Sequence, residues 1–313
     1  LIDHLGTGRE WDLTRKNGGI TIFPPYAETQ VSAANGRVEA LSNILSYLQR
    51  QKEKYVILSD TNIAMNFDFT DFIDSHIASG ADVTVAYTKD VIPEEARTST
   101  DFTKGFYYTY KIDDDGRVVD IYTNSHKEGV QNFGMNIYCI EREKLLQLVK
   151  KVAMRGGVFF ERDLLLPRIE ELVIKGYEFT GYTARITSLS SYFNENMKLL
   201  EDENVDALFG PAPVYTKIRD DNPTRYIGSA EAVNVMVADG CVIEGKVENS
   251  ILFRGVKVEK GAVVRNCVLM QDTVVECGAR LDYIVTDKGV TVTESKEVKG
   301  APTLPMYIAK GKT

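Results

Sequence analysis

The segment 242–258, VIEGKVENSILFRGVKV, decides how the second half of the chain folds. It opens a register of apolar residues in steps of five, five and six. Val242, Val247 and Leu252 are followed by Val258, Val263 and Val268, then by Val274, Ala279 and Ile284, and Val290 opens a fourth round. A helix would place apolar residues every three or four positions, and a half-buried strand every second one. A repeat of 16 residues instead predicts a solenoid, a triangular coil with one inward aliphatic residue per side. Turn-formers fall between the sides at Asp239-Gly240, Gly245, Gly255, Lys260-Gly261, Gly278 and Lys288-Gly289. β-Branched and aromatic residues fill the sides, as in Ser250 to Phe253 and Tyr283 to Val285. The competing reading is a sandwich of regularly spaced strands, which the strict register disfavours.

At 313 residues the chain is too long for one small core and suits two domains. It is 43% hydrophobic and 26% charged, as soluble globular proteins are, and no apolar run reaches the ~18 residues of a membrane span. No secretory signal pattern opens it, and a motif-like stretch within ten residues of Leu1 implies that an N-terminal segment is missing. The net charge of −8 argues against a nucleic-acid partner, which would call for a basic face. Cys139, Cys241, Cys267 and Cys277 show no metal-binding spacing. They are expected to be buried small hydrophobes in a reducing, cytoplasmic protein. His4, His76 and His126 are scattered and predict no metal site.

Before the repeat, the pattern is that of an α/β domain. Ile20 to Phe23 predicts a short strand, and Arg37 to Gln51 a helix with Val38, Leu41, Leu45 and Leu48 on one face. Tyr55 to Leu58 is an apolar strand running into Ser59-Asp60-Thr61-Asn62, the small polar end where open α/β sheets place ligands. A helix at 70–79 and a strand at 82–87 follow. Residues 105–122 predict a hairpin turning at Asp113 to Gly116, a solvated turn rather than a calcium loop. A strand at 135–140, helices at 143–152 and 163–175, a strand at 177–186 and a helix at 188–200 complete the domain. Residues 201–226 lack periodicity and read as a linker. The expected organisation is therefore an α/β domain over 1–200, a linker over 201–226 and a coil domain over 227–313.

Several stretches carry a family resemblance. They are His4-Leu5-Gly6, Gly8 and Trp11-Asp12-Leu13; Gly18-Gly19, Ile22 and Pro24-Pro25; Gly36, Glu39 and Ala40; the strand ending at Asp60; Met135 to Tyr138; and Pro223 to Tyr226. Together with the coil they resemble the bacterial ADP-glucose pyrophosphorylases (glucose-1-phosphate adenylyltransferases of glycogen synthesis) over nearly the whole chain. The resemblance implies a Rossmann-like nucleotidyltransferase (GT-A-like) α/β domain followed by a left-handed parallel β-helix. It also implies a reaction in which glucose 1-phosphate attacks the α-phosphorus of ATP and pyrophosphate leaves. Catalysis of that kind is positioning plus charge neutralisation, with Mg²⁺ held by two carboxylates. The family's glycine-rich nucleotide loop has no counterpart here.

Matched position by position, the chain departs from what the chemistry needs. Asp60 fills the place of the first metal carboxylate, although a small length difference would bring Thr61 there; it reads equally as a turn cap. Arg185 stands where the second carboxylate belongs, and a guanidinium has no lone pair for a metal. Asn124 replaces the lysine that holds the sugar phosphate. Gly134 replaces a serine, and Ala34-Asn35 replaces a Tyr-Arg pair. Pairing of Arg185 with Asp60 across the vacated metal position is one alternative; an Arg185 facing solvent or a regulator's phosphate is another. The chain thus resembles the family's non-catalytic, regulatory subunit. That implies no cofactor of its own, with Mg²⁺ in the catalytic partner. It implies a hetero-oligomer, a tetramer, with a catalytic homologous subunit. A sugar-phosphate or nucleotide effector is expected, and neither nucleic acid nor membrane. The competing readings are an active adenylyltransferase using other ligands and a stand-alone sugar-phosphate or nucleotide sensor. An acyltransferase of the coil type would need a histidine between coils, and 234–292 has none.

Overall fold

A computed structural model describes residues 2–15, 18–24, 36–93, 107–216 and 220–312. The chain forms two compact units, each discontinuous in sequence. One comprises 16–61 and 67–181; the other comprises 1–15, 62–66 and 182–313.

The first unit is built on a mixed sheet. Its centre is the long strand Val130–Glu141, which pairs antiparallel with Tyr55–Leu58, with Val83–Val91 and with Tyr108–Ile112. The hairpin partner Val118–Thr123 lies beyond Tyr108–Ile112, and Ile174–Glu178 runs parallel to Val83–Val91 at the other edge. The expected turn at Asp113 to Gly116 joins the hairpin. Asp113 Oδ1 accepts from the backbone N–H of Asp115 and Arg117, the local bonding that makes aspartate a turn former.

Helices cover the sheet. Phe69–Ser79 starts where Asp68 accepts from the N–H groups of Thr70 and Asp71, supplying the cap that four unpaired donors require. Arg142–Ala153 buries Leu145, Leu146, Val149 and Val152, spaced along one face. The helix expected over 37–51 is broken at Ile44 into Arg37–Asn43 and Leu45–Arg50. The helix expected over 163–175 is shorter and differently wound: a π-turn spans Phe160–Leu165 and a 3₁₀ turn Leu166–Arg168, with Pro167 near its start. The strand expected over 177–186 is two strands, Ile174–Glu178 and Thr183–Arg185. Among the described residues 18–24 no strand forms.

The second unit is a parallel β-solenoid of about four coils with added helices. Its repeat corrects the register read from the sequence. Val247 pairs with Val264, and Val264 with Leu281, so successive coils lie 17 residues apart. The first coil is shorter: Ile243 pairs with Val258, 15 residues on. Val247, Leu252, Val258, Ala279, Ile284 and Val290 fill the interior as expected. Val242, Val263 and Val274 are only half-buried, and the inward residues are their neighbours Ile243, Val264 and Val275. Val268 is buried on the outside of the coil, together with Val285, against Phe193 of the helix Leu189–Lys198. That helix is opened by a reciprocal box in which the Ser188 and Ser191 hydroxyls each accept a backbone N–H.

A short antiparallel pair, Ile63–Met65 with Thr183–Arg185, belongs to this unit. The segment 201–226 is not wholly irregular, since it contains the helix Asp202–Phe209. Cys241 and Cys267 are buried as expected, but Cys277 is exposed, with Glu259 accepting from its thiol. Among the described residues no helix is long and apolar enough to cross a membrane.

Candidate functional site

Asp60 lies two residues past the strand Tyr55–Leu58, whose register puts Leu58 opposite Tyr138. Carried two residues further, that register brings Asp60 to Asn136. Asn136 has a φ of 58°, a conformation asparagine tolerates better than most residues. Its side-chain Nδ2 donates to Asp60 Oδ2 at 2.8 Å. The other carboxylate oxygen, Oδ1, takes a hydrogen bond from Arg37 Nη2 at 2.5 Å. Asp60 is therefore no turn cap: each of its oxygens takes a hydrogen bond from a side chain of the same unit, one of them from a guanidinium. The counter-charge to Asp60 is supplied by Arg37 rather than by Arg185.

Arg37 is the hub of a polar cluster. Its Nη1 donates to Glu161 Oε1 at 3.1 Å and its Nη2 reaches the main-chain oxygen of Asn136 at 3.4 Å. The guanidinium lies 4.9 Å from the Tyr138 ring centre and 5.9 Å from that of Phe160, within cation–π range. Glu161 is only 4% exposed and also accepts from the hydroxyls of Tyr138 and Tyr108. The Tyr138 hydroxyl lies 3.4 Å from that of Tyr110. Burial pushes the Tyr138 phenol well above its ordinary range, and the charge of Glu161 adds to the effect. Tyr108 is raised for the same two reasons, burial first. Burial opposes the charge on Arg37, but Tyr138, Glu161 and Asp60 outweigh it and hold the guanidinium more firmly protonated than usual. The cluster thus sets one guanidinium against two carboxylates, with the tyrosine hydroxyls donating to Glu161.

Local structure fixes each member. Gly36 opens the helix bearing Arg37, and a Cβ there would come within 2.6 Å of the Val158 carbonyl oxygen. That carbonyl accepts from the N–H of Val38 at 2.9 Å, so the absence of a side chain at 36 lets the helix start seat against Val158. The π-turn that aims Glu161 is held by Asp163, whose carboxylate accepts from the N–H groups of Val158 and Phe159. The Arg162 guanidinium beside Asp163, with those two N–H groups, holds its pKa down to about 2.

Other residues singled out from the sequence have structural reasons of their own. Asn124 sits at φ 49°, its Oδ1 accepting from Tyr107 N–H at 3.0 Å while its own N–H donates to Tyr107 O, so it closes the mouth of the hairpin. Gly134 faces Tyr110: a Cβ there would meet its hydroxyl at 2.9 Å and the Tyr108 carbonyl at 3.1 Å. A serine would not fit without movement of that ring. Arg185 is on the strand opposite Ile63, in the solenoid unit. Ala34 and Asn35 lie outside the described residues. The structure thus brings together Asp60 with Arg37, Asn136, Tyr138 and Glu161, of which only Asp60 was expected. A signal for Arg37 existed: a cation on the first residue of a helix opposes the helix dipole, so it needs a local anion. A signal for Glu161 existed as well, a short charged run, Glu161-Arg162-Asp163, set between the apolar pairs Phe159-Phe160 and Leu164-Leu165.

The implied Mg²⁺ is tested by the same geometry. A hard cation needs carboxylate oxygens open to it, and those of Asp60 already face a guanidinium and an amide N–H. Among the described residues no group of three or more His, Cys, Asp or Glu side chains could hold a metal ion. The residues around Asp60 do not fit the ion. In the solenoid unit an open groove of about 740 Å³ lies among Leu199, Val205, Tyr226, Asn234 and Met236; of the stretches that carry the resemblance, Pro223 to Tyr226 reaches it through Tyr226.

The fold and cluster define a class, a mixed-sheet α/β domain coupled in one chain to a hexapeptide-type solenoid. Residues 217–302 match the family model described as GlmU-like, C-terminal hexapeptide. Over nearly all its length the chain is 29% identical to the glycogen biosynthesis protein GlgD of Bacillus subtilis (strain 168), covering 99% of this chain and 78% of that protein. It is 27% identical to the glucose-1-phosphate adenylyltransferase of Bacillus mycoides (strain KBAB4), covering 100% of this chain and 82% of the relative. To the same enzyme of Geobacillus stearothermophilus it is 28% identical, over 85% of this chain and 67% of the relative. The chain is thus similar, over essentially its whole length, to GlgD and to glucose-1-phosphate adenylyltransferases.

Proposed function

We propose that this chain serves glycogen biosynthesis as a non-catalytic, regulatory subunit beside a catalytic glucose-1-phosphate adenylyltransferase. Similarity to GlgD and to the adenylyltransferases supports the pathway. The observation that carries the non-catalytic part is the state of Asp60, whose two oxygens are taken by Arg37 and Asn136. A carboxylate so engaged gives no electrostatic help to a departing pyrophosphate, and that help is most of what such catalysis requires. The chain's own cofactor requirement is nil on this reading, and Mg²⁺ belongs to the catalytic partner. The two subunits form a mixed oligomer, and a sugar phosphate or nucleotide tunes it.

The test has two arms. ADP-glucose formation from ATP and glucose 1-phosphate with Mg²⁺ is measured for the full-length chain alone, where background turnover is expected. The chain is then co-expressed with a catalytic glucose-1-phosphate adenylyltransferase from the same cell. Co-purification and a changed KM or kcat are expected. Robust turnover by the chain alone, or failure to form a mixed oligomer, overturns the proposal.

A further inference from the structure

Arg37 sits in a position defined by oxygens. Its guanidinium meets Glu161 Oε1 at 3.1 Å, Asp60 Oδ1 at 2.5 Å and the main-chain oxygen of Asn136 at 3.4 Å. The side-chain Oδ1 of that same Asn136 is buried and has no hydrogen-bond partner. Two carboxylates, a main-chain carbonyl and an amide oxygen are the kinds of donor that a hard divalent cation takes. Without Arg37 the two carboxylates would be left as uncompensated charges, one of them almost fully buried, which is strongly unfavourable. The guanidinium is also clamped from the side by the rings of Tyr138 and Phe160. Its helix is seated by Gly36 against Val158. The side chain is therefore built in rather than resting on a surface.

We propose that Arg37 is a tethered cation. It fills from within the chain an oxygen-lined position that would otherwise take a divalent metal ion, and so keeps Asp60 and Glu161 compensated whether or not metal is present. A guanidinium cannot lose its charge at any physiological pH, so this closure is permanent. The inference goes deeper into the site discussed above. Its readout is cation binding rather than turnover, so each can fail without the other.

Mn²⁺, followed by its electron paramagnetic resonance, is titrated into the full chain. The wild type is expected to show no saturable site that depends on Asp60. Arg37→Ala is expected to gain one site binding at least about tenfold more tightly than anything in the wild type, as an opened carboxylate pair would. Asp60→Asn added to Arg37→Ala should abolish it, and Arg37→Lys, which keeps the charge, should not gain it. An Asp60-dependent Mn²⁺ site in the wild type overturns the proposal, as does a folded Arg37→Ala with no gain. Should Arg37→Ala unfold, Mn²⁺ is expected to restore the fold by mass action; unfolding that Mn²⁺ does not reverse also overturns it.

Discussion

The two units of this chain solve burial in opposite ways. The solenoid fills its interior with aliphatic side chains stacked coil upon coil, Ile243 under Val258 under Val275 and Val247 under Val264 under Leu281. Any one of them contributes through the apolar area it removes from water. The sheet unit has an aliphatic core as well, but at one place it buries charge and hydroxyls instead: Arg37, Glu161, Tyr108, Tyr110 and Tyr138. There each group depends on its partners, because an unpaired charge in that setting costs far more than a lost methyl group. The lesson is that the solenoid should yield gradually to mutation, whereas the polar cluster should fail as a set.

The largest effect is expected at Glu161. Glu161→Ala should lower the stability of the sheet unit by about 3–5 kcal/mol, because it takes from Arg37 its buried carboxylate partner and leaves two phenols without their acceptor. Urea unfolding, with hydrogen exchange along Val130–Glu141 to localise it, would measure the change. A loss below ~1 kcal/mol, the range of an ordinary surface change, would break the contrast between the units. In the solenoid, Val264→Ala should cost about 2 kcal/mol, the worth of a buried valine's lost methyl groups and the space they leave. Val263→Ala, one residue away, should stay within ~0.5 kcal/mol. Equal effects, or the reverse order, would restore a 16-residue repeat.

Gly134→Ser puts back the residue that the family resemblance would place there. It should cost about 1.5 kcal/mol by overpacking against Tyr110, with part recovered on adding Tyr110→Phe. Additive effects in that double-mutant cycle would show that the ring is not the obstacle. The smallest effect concerns acid. Asp163 has a folded pKa of about 2, below the ~3.9 of a free aspartate. The stability it provides is present above pH ~4 and is lost as the pH falls towards 2. Asp163→Asn should lose about 1 kcal/mol at neutral pH, as for a hydrogen bond removed, and should flatten stability across that acid window. An unchanged slope would assign the acid sensitivity elsewhere.

Most of the architecture was legible because it is local. A strand, a hairpin turn at Asp113 to Gly116 or a coil of a solenoid is written in a dozen neighbouring residues. Even so, the coil length was misread by one. Valines and isoleucines occur in doublets, Val242-Ile243, Val263-Val264, Val268-Leu269 and Val274-Val275, and a list of apolar positions can pick either member. Only pairing between coils says which faces in. The turn at 160–168 was read as the start of a long helix because its leucines have helical spacing, while the bonds from Asp163 to the backbone of Val158 and Phe159 tighten it into something else. The polar cluster was the least legible part. Its members come from positions 37, 60, 108, 136, 138 and 161, and no spacing rule links them. Asp60 was found because a polar residue at a strand end is a local signal. Its partners were not, because a salt bridge between distant residues leaves each looking like an ordinary surface charge.

The five residues 62–66 group with the solenoid unit although the chain on either side of them belongs to the sheet unit. Their strand, Ile63–Met65, is the only partner that Thr183–Arg185 has in the pair they form. A gene fragment beginning after residue 66 would therefore encode every coil and still lack half of that pair. A single recombination event that exchanged one unit for another would therefore split a strand pair, so the two units are expected to travel through recombination together.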